Sequence, residues 1–364
     1  MNVARPSDEL RSAAPRCAFR LRLALVYAAC LPLAWCVFEL YLGLRPRPRL
    51  DPEMPAAYRV LDDAVGMRPA PGASWREALW LGDEPIYDVV YTIDAHGRRV
   101  TPASQGGDDA LCVLFFGCSF SFGTGIGDED TLPWLTSVAT GRRHHLHNFS
   151  FGGWGPHQML AALEAGEVES SLDCEPTHAV YVSVHDHVRR VAGRSPWDPH
   201  GPRFELREDG RLVRDGNFDD RASFPRSWPW LGNSEILRIL SEHFVPTRTD
   251  FDRFAEVVAA SRDRLTSRWP GIDFRVLLWD KRWKHDPEYW EGLERRGLRL
   301  HFVSEILPDE REAALRYAIS PHDGHPNRTA NERIAAWIAR EILGEPRGAG
   351  VPETASAPSR AGGP

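Results

Sequence analysis

From residue 111 onward, short apolar runs alternate with stretches of helical periodicity, and this alternation constrains the fold more than any other feature. The runs are "LCVLFF" (111–116), "LHNFS" (146–150), "AVYVSV" (179–184), "FRVLLW" (274–279) and "LHFVS" (300–304). Helical spacing fits residues 131–140, 156–171, 250–268, 287–296 and 328–343. A strand that is apolar throughout is buried on both faces, and strands separated by helices run parallel. The pattern predicts an α/β chain, a three-layer α/β/α fold on a parallel five-stranded sheet. Ligands in such sheets sit beyond the C-terminal ends of the strands.

The stretches outside this block differ in character. "LALVYAACLPLAWCVFELYLGL" (23–44) is mostly apolar, and as a helix it would reach about 33 Å, the thickness of a bilayer core. It predicts an N-terminal transmembrane helix, single-pass, with the rest of the chain periplasmic or otherwise extracytoplasmic. A cleaved signal or lipoprotein leader is the alternative, though the apolar run is long for one and lacks a clean A-x-A-like site. Arginines flank it on both sides, Arg20 and Arg22 before and Arg45, Arg47 and Arg49 after, so charge sets the orientation only weakly. Residues 1–22 are a basic N-terminal segment and 45–55 a Pro-rich linker. Residues 56–110 read as a β-rich lead-in that turns at Ala95-His96-Gly97. Within the 111–343 domain, 191–249 is an insertion holding a hairpin at Asp209-Gly210, followed by an aromatic, Pro-containing stretch; it is either a lid over the site or a packed excursion. Residues 344–364 are too small and polar to build a core and predict a disordered tail.

Composition removes several classes of function. The net charge of −7 argues against nucleic-acid binding, which calls for a basic surface. Six cysteines, at 17, 30, 36, 112, 118 and 174, show no CxxC spacing, so neither a disulfide framework nor a structural metal is predicted. "HHLH" (144–147) and "HDH" (185–187) could each place two histidines on one face of a strand, but spacing supplies no third ligand. No metal and no cofactor is assigned.

The stretch that carries chemistry is "LFFGCSFSFG" (114–123), where the first strand of the α/β block ends in small residues. Ser119 would stand at the C-terminal end of that strand, its amide at the start of a helix, a position that suits both nucleophilic attack and oxyanion stabilisation. Ser121 is two residues further on and reads as part of the turn, and Cys118 should point away from the site. Three more stretches follow, each after a strand or before the last helix: "NFSFGGWG" (148–155), "YVSVHDHVRR" (181–190) and "ISPHDGHPN" (319–327). Together, in this order, they resemble the blocks of the SGNH (GDSL-like) hydrolase superfamily, over roughly residues 88–343.

The resemblance implies a flavodoxin-like sheet and a serine hydrolase acting on ester bonds through an acyl-serine intermediate. Carried over residue by residue, Ser119 is the nucleophile, His325 the base and Asp323 the group that orients it. The oxyanion hole falls to Ser119, Gly153 and His185, and Asn148 and Asp186 lend structural support. Two positions depart from the family pattern. Gly-Asp-Ser is Gly117-Cys118-Ser119 here, and the oxyanion asparagine aligns with His185. The implied substrates are small-molecule, polysaccharide or lipid esters, with O-acyl groups of envelope carbohydrate or lipid among them. A carbohydrate O-acyltransferase on the same fold, or a catalytically degenerate envelope binding or assembly module, are the alternative readings.

Overall fold

The structure, a computed structural model, describes residues 30–51, 58–195, 197–220, 234, 236, 239, 245–280, 286–309 and 313–346. The chain divides into two compact units, one of residues 1–47 with 222–244 and the other of 48–221 with 245–364. In the first, residues 30–43 are helical, and the Glu39 carboxylate accepts hydrogen bonds from the Ser234 hydroxyl and, at 3.3 Å, from the backbone N–H of Ile236. Among the described residues no helix is long and apolar enough to cross a membrane. The expected span of 23–44 is thus seen only over its C-terminal part, and residues 23–29 lie outside the described residues.

The second unit is built on a five-stranded parallel sheet. Its strands are β1 (Cys112–Phe116), β2 (His145–Asn148), β3 (His178–Val184), β4 (Asp273–Trp279) and β5 (Arg299–Phe302), in the order β5-β4-β3-β1-β2. Every apolar run read from the sequence is one of these strands, within two residues at either end. The alternation of each strand sorts its side chains into two cores. Leu114, Phe116, Tyr181, Val276 and Leu278 pack on one side, against α3 (Pro156–Glu164), α5 (Arg248–Arg268) and α6 (Glu288–Arg295). Val113, Phe115, Val180, Val182 and Leu277 pack on the other, against α2 (Leu132–Ala139) and α7 (Arg328–Glu341). This is the three-layer α/β/α arrangement, with both sheet faces dry.

The lead-in forms a separate antiparallel sheet of Pro48–Leu50, Ser74–Leu81 and Glu84–Thr92. Its outermost strand falls inside the expected linker; Pro48 is tolerated there because an edge strand need not donate on both sides. Trp75 and Tyr91 face each other across the central pair and join Tyr58, Phe122 and Phe151 in a third, aromatic core. That contact carries the lead-in to the turn that follows β1. The hairpin at Asp209-Gly210 is present as Pro202–Leu206 against Leu212–Asn217. The aromatic stretch 224–240 of the insertion, open as a lid or a packed excursion, lies outside the described residues, apart from Ser234, Ile236 and Ile239. So does 347–364 of the expected tail, whereas Glu345 is buried and meets His144 Nε2 at 3.0 Å.

One expectation is overturned. Cys112 and Cys174 form a disulfide across a sequence separation of 62, with Cα atoms 5.9 Å apart. The loop entering β3 runs beside the first residue of β1, where Thr177 N–H donates to the Cys112 carbonyl at 2.9 Å. Spacing along the chain does not reveal this neighbourhood; strand order creates it.

Candidate active site

β1 ends at Phe116, and the chain turns at Gly117, whose φ of 153° lies in a region that side-chain-bearing residues avoid. A Cβ there would also sit 2.8 Å from the Val182 carbonyl oxygen. Cys118 then caps α1 (Ser119–Phe122), and its own thiol is buried. Ser119 is the first residue of that turn of helix. Ser121 is fully buried and donates to Ser150 Oγ at 2.7 Å, which makes it a fastener between two loops and leaves Ser119 as the serine of the cleft.

The other half comes from the end of the chain. A small hairpin, Ala318–Ser320 with Asp323–Pro326, leads directly into α7, which Asn327 caps by accepting from Ala330 N–H. Two residues apart, Asp323 and His325 share one face of that strand. His325 Nδ1 lies 2.6 Å from Asp323 Oδ1, and its backbone N–H donates to the same oxygen at 2.8 Å. His325 Nε2 lies 2.8 Å from Ser119 Oγ. Asp323 is 8% exposed. With Nδ1 protonated towards Asp323, Nε2 is free to accept the serine proton, which is the geometry a Ser–His–Asp relay needs.

Asn148 and Asp186 hold the frame. The Asn148 amide donates to the Ser121 carbonyl at 3.0 Å, and its oxygen accepts from Ser150 N–H at 3.1 Å, so one side chain ties the loop after β2 to α1. Asp186 accepts from Arg189 Nε at 2.7 Å and Arg190 Nε at 2.8 Å. Burial pushes its carboxyl up, but the charges and hydrogen bonds of Arg190 and Arg189 outweigh burial and hold it well below the usual carboxylate range. Gly153 lines the cleft beside Ser119 and His325. Its φ is 87°, and a Cβ would lie 2.8 Å from Trp197 Nε1.

His185 is not brought to this site. It stands at the start of α4 (Asp186–Val191), its ring centroid 5.9 Å from Phe251 and 5.3 Å from Tyr289, with Nε2 3.4 Å from Asp286. The backbone turns helical immediately after β3, and this swings the side chain towards α5 and α6. His187 is buried against the Tyr181 hydroxyl at 2.6 Å, so "HDH" does not form a single site. From "HHLH", His147 Nε2 lies 3.2 Å from Cys174 Sγ. Cys112, His147 and Cys174 gather their donor atoms within 4.8 Å, as do His145, Asp173 and Cys174; the disulfide removes both sulfurs as thiolate ligands.

Several cleft residues escaped the sequence reading. The cleft, about 320 Å³, is walled by Tyr58, Arg59, Trp75, Glu77 and Tyr87 of the lead-in and by Arg190 and Trp197. Glu77 is buried and accepts from the hydroxyls of Tyr87 at 3.0 Å and Tyr91 at 2.8 Å. Burial, reinforced by that carboxylate, drives both phenols well above their ordinary pKa. A signal for Glu77 was present: a carboxylate in the inward phase of an alternating strand, two residues after Trp75. Arg190 Nη1 also donates to the Trp154 carbonyl at 2.6 Å. Beneath the cleft, Arg99 is buried and donates to the carbonyls of Phe122 (3.1 Å), Gly123 (2.6 Å) and Ile126 (2.8 Å) and to Asp128 (2.9 Å). It fixes the loop that follows α1.

No protein-family model matches the chain, and no curated protein matches it. Among solved structures it is similar to a putative lipolytic protein of the G-D-S-L family from Desulfitobacterium hafniense DCB-2, at 12% identity and a TM-score of 0.38, over 64% of this chain and 99% of that one. It is also similar to an acetyl xylan esterase from the rumen bacterium Butyrivibrio proteoclasticus, at 12% identity and a TM-score of 0.38, over 68% of this chain and 66% of that one. A third likeness is to an alpha/beta hydrolase enzyme from the metagenome of Lake Arreo, Spain, at 13% identity and a TM-score of 0.37, over 65% of this chain and 95% of that one. With scores this low, the reading of the site rests on its own geometry.

Proposed function

We propose that the chain is a serine hydrolase of SGNH type acting on ester bonds. One observation carries this: the unbroken chain from Ser119 Oγ to His325 Nε2 (2.8 Å) and from His325 Nδ1 to Asp323 (2.6 Å), opening on a cleft. His325 takes the serine proton as Oγ attacks the ester carbonyl, and Asp323 stabilises the imidazolium so formed. The backbone N–H groups of Ser119 and Gly153 are the donors for the developing oxyanion. His325 then gives its proton to the departing alcohol, leaving acyl-Ser119. Water, activated by the same imidazole, releases the acid; an acceptor hydroxyl in its place would give transfer.

The test is p-nitrophenyl acetate hydrolysis and fluorophosphonate labelling by the full chain in detergent. Wild type should turn over and label at Ser119, and Ser119→Ala and His325→Ala should each lose several orders of magnitude. A wild type no faster than either variant sinks the reading.

The anchor and its topology belong to the same proposal: residues 23–44 hold the enzyme on a membrane, with the catalytic unit outside the cytoplasm. The helix over 30–43 exposes Leu31, Leu33, Val37, Phe38 and Leu40, side chains that favour lipid over water. The Cys112–Cys174 disulfide supports an oxidising compartment. Protease added outside spheroplasts should digest the catalytic unit; full protection there would refute the topology.

A further inference from the structure

Among the described residues, two buried donors in the cleft wall have no acceptor. Trp75 is 4% exposed, and its indole Nε1–H is buried without a hydrogen-bond partner; the Nε–H of Arg59 is in the same condition. Both residues line the cleft with Ser119 and His325. The guanidinium of Arg59 lies over the rings of Tyr58, at 4.8 Å, and Phe151, at 5.6 Å, and no carboxylate among the described residues pairs with it. Arg190, the other cation of the wall, is committed to Asp186 and to the Trp154 carbonyl. Buried donors are paired as a rule, and a pair left open beside a reactive serine asks for a ligand that brings acceptors.

The wall decides among the ester classes. An acyl chain laid over Trp75 Nε1 and Arg59 Nε would leave both donors dry and unpaired, so a lipid chain fits badly. A sugar suits them: its oxygens bring acceptors for both donors, and the Glu77 carboxylate can accept from its hydroxyls. A neutral sugar still leaves Arg59 without a carboxylate in direct contact among the described residues. A carboxylate answers it, since a guanidinium and a carboxylate meet through two parallel hydrogen bonds.

We propose that the cleft takes an O-acyl ester of an acidic sugar, its carboxylate held by Arg59 and the indole N–H of Trp75. The proposal rests on reading Ser119 and His325 as an ester-cleaving pair, and it narrows the substrate from esters in general to anionic glycan esters.

The full chain in detergent is assayed on O-acetylated polygalacturonate with free carboxylates and on the same polymer methyl-esterified, which is neutral. Wild type should prefer the free acid in kcat/KM by about tenfold or more, the worth of one charge-assisted hydrogen bond. Arg59→Gln should bring the ratio near one, and Trp75→Phe, which keeps the ring and removes the donor, should lower it. A purely structural role for either residue would scale both substrates together. Equal rates in wild type, or a ratio unmoved by Arg59→Gln, overturn the inference while the esterase reading stands. Trigalacturonate binding to Ser119→Ala protein tests the pocket apart from the chemistry. Binding that exceeds that of its methyl ester, and that is lost on adding Arg59→Gln, supports the inference even if wild type proves inactive on esters; equal binding refutes it.

Discussion

Asp323→Asn isolates what the carboxylate contributes beyond shape. When His325 takes the serine proton, it becomes a cation whose Nδ1 is 2.6 Å from Asp323 Oδ1. Two unit charges about 4 Å apart at an effective dielectric of about 20 attract by about 4 kcal/mol, equivalent to about 10³ in rate. The 8% exposure of Asp323 keeps screening low on its side, while the 26% exposure of the His325 side chain trims the figure. Asparagine adds a second penalty. Its amide can donate to Nδ1, which moves the imidazole proton to Nε2 and removes the acceptor that Ser119 needs. Together the two effects predict a loss of about 10³–10⁴ in kcat/KM, the scale seen when the orienting aspartate of such a relay is neutralised. The assay is p-nitrophenyl acetate hydrolysis with the rate of fluorophosphonate labelling alongside, and thermal melting as the control for folding. A folded Asp323→Asn protein within about tenfold of wild type would refute the relay and leave a Ser119–His325 dyad.

Three further outcomes follow from the same structure. Arg99→Met strips three loop carbonyls and Asp128 of their donor; it should cost about 3–5 kcal/mol and lower activity with it, and an unchanged melting temperature would contradict the assigned role. Reducing Cys112–Cys174, which closes a loop across a separation of 62, should cost about 4 kcal/mol, read as a lower denaturation midpoint with dithiothreitol; no shift would mean the bond does not form. Burial also holds His147 neutral, its pKa down from 6.5 to about 4, and lowers those of His157 and His187. The folded state therefore binds fewer protons than the unfolded chain, so this stability is complete above about pH 6.5 and is lost as pH falls towards 4, about 3 kcal/mol for His147 alone. His147→Phe should flatten that decline in denaturant midpoints; an equally steep decline would show that His147 does not take part.

Much of the fold was legible because the parallel sheet leaves a local mark: five apolar runs that alternate with stretches of helical period. Of the candidate site, Ser119 stood out by its place in the chain, while Asp323 and His325 came from the resemblance of their block, and the structure places the three side chains within hydrogen-bond reach. Ser119 follows a strand and opens a helix; Asp323 and His325 stand two residues apart just before the last helix, and that they share one face of a short strand came only with the structure. Glu77 left only a trace, as a charge in an apolar phase. His185 misled because alignment along the chain says nothing about the direction a side chain takes once the backbone turns helical.

The sequence by itself determined the periods of the strands and helices and the turn glycine Gly117, since these depend on residues within a turn or two of one another. Only the tertiary structure decided that Cys112 meets Cys174, that Arg99 braces the loop after α1, and that Arg59 and Trp75 line the same cleft as Ser119. Those contacts join segments far apart in the chain, and strand order and burial, which belong to the whole fold, bring them together.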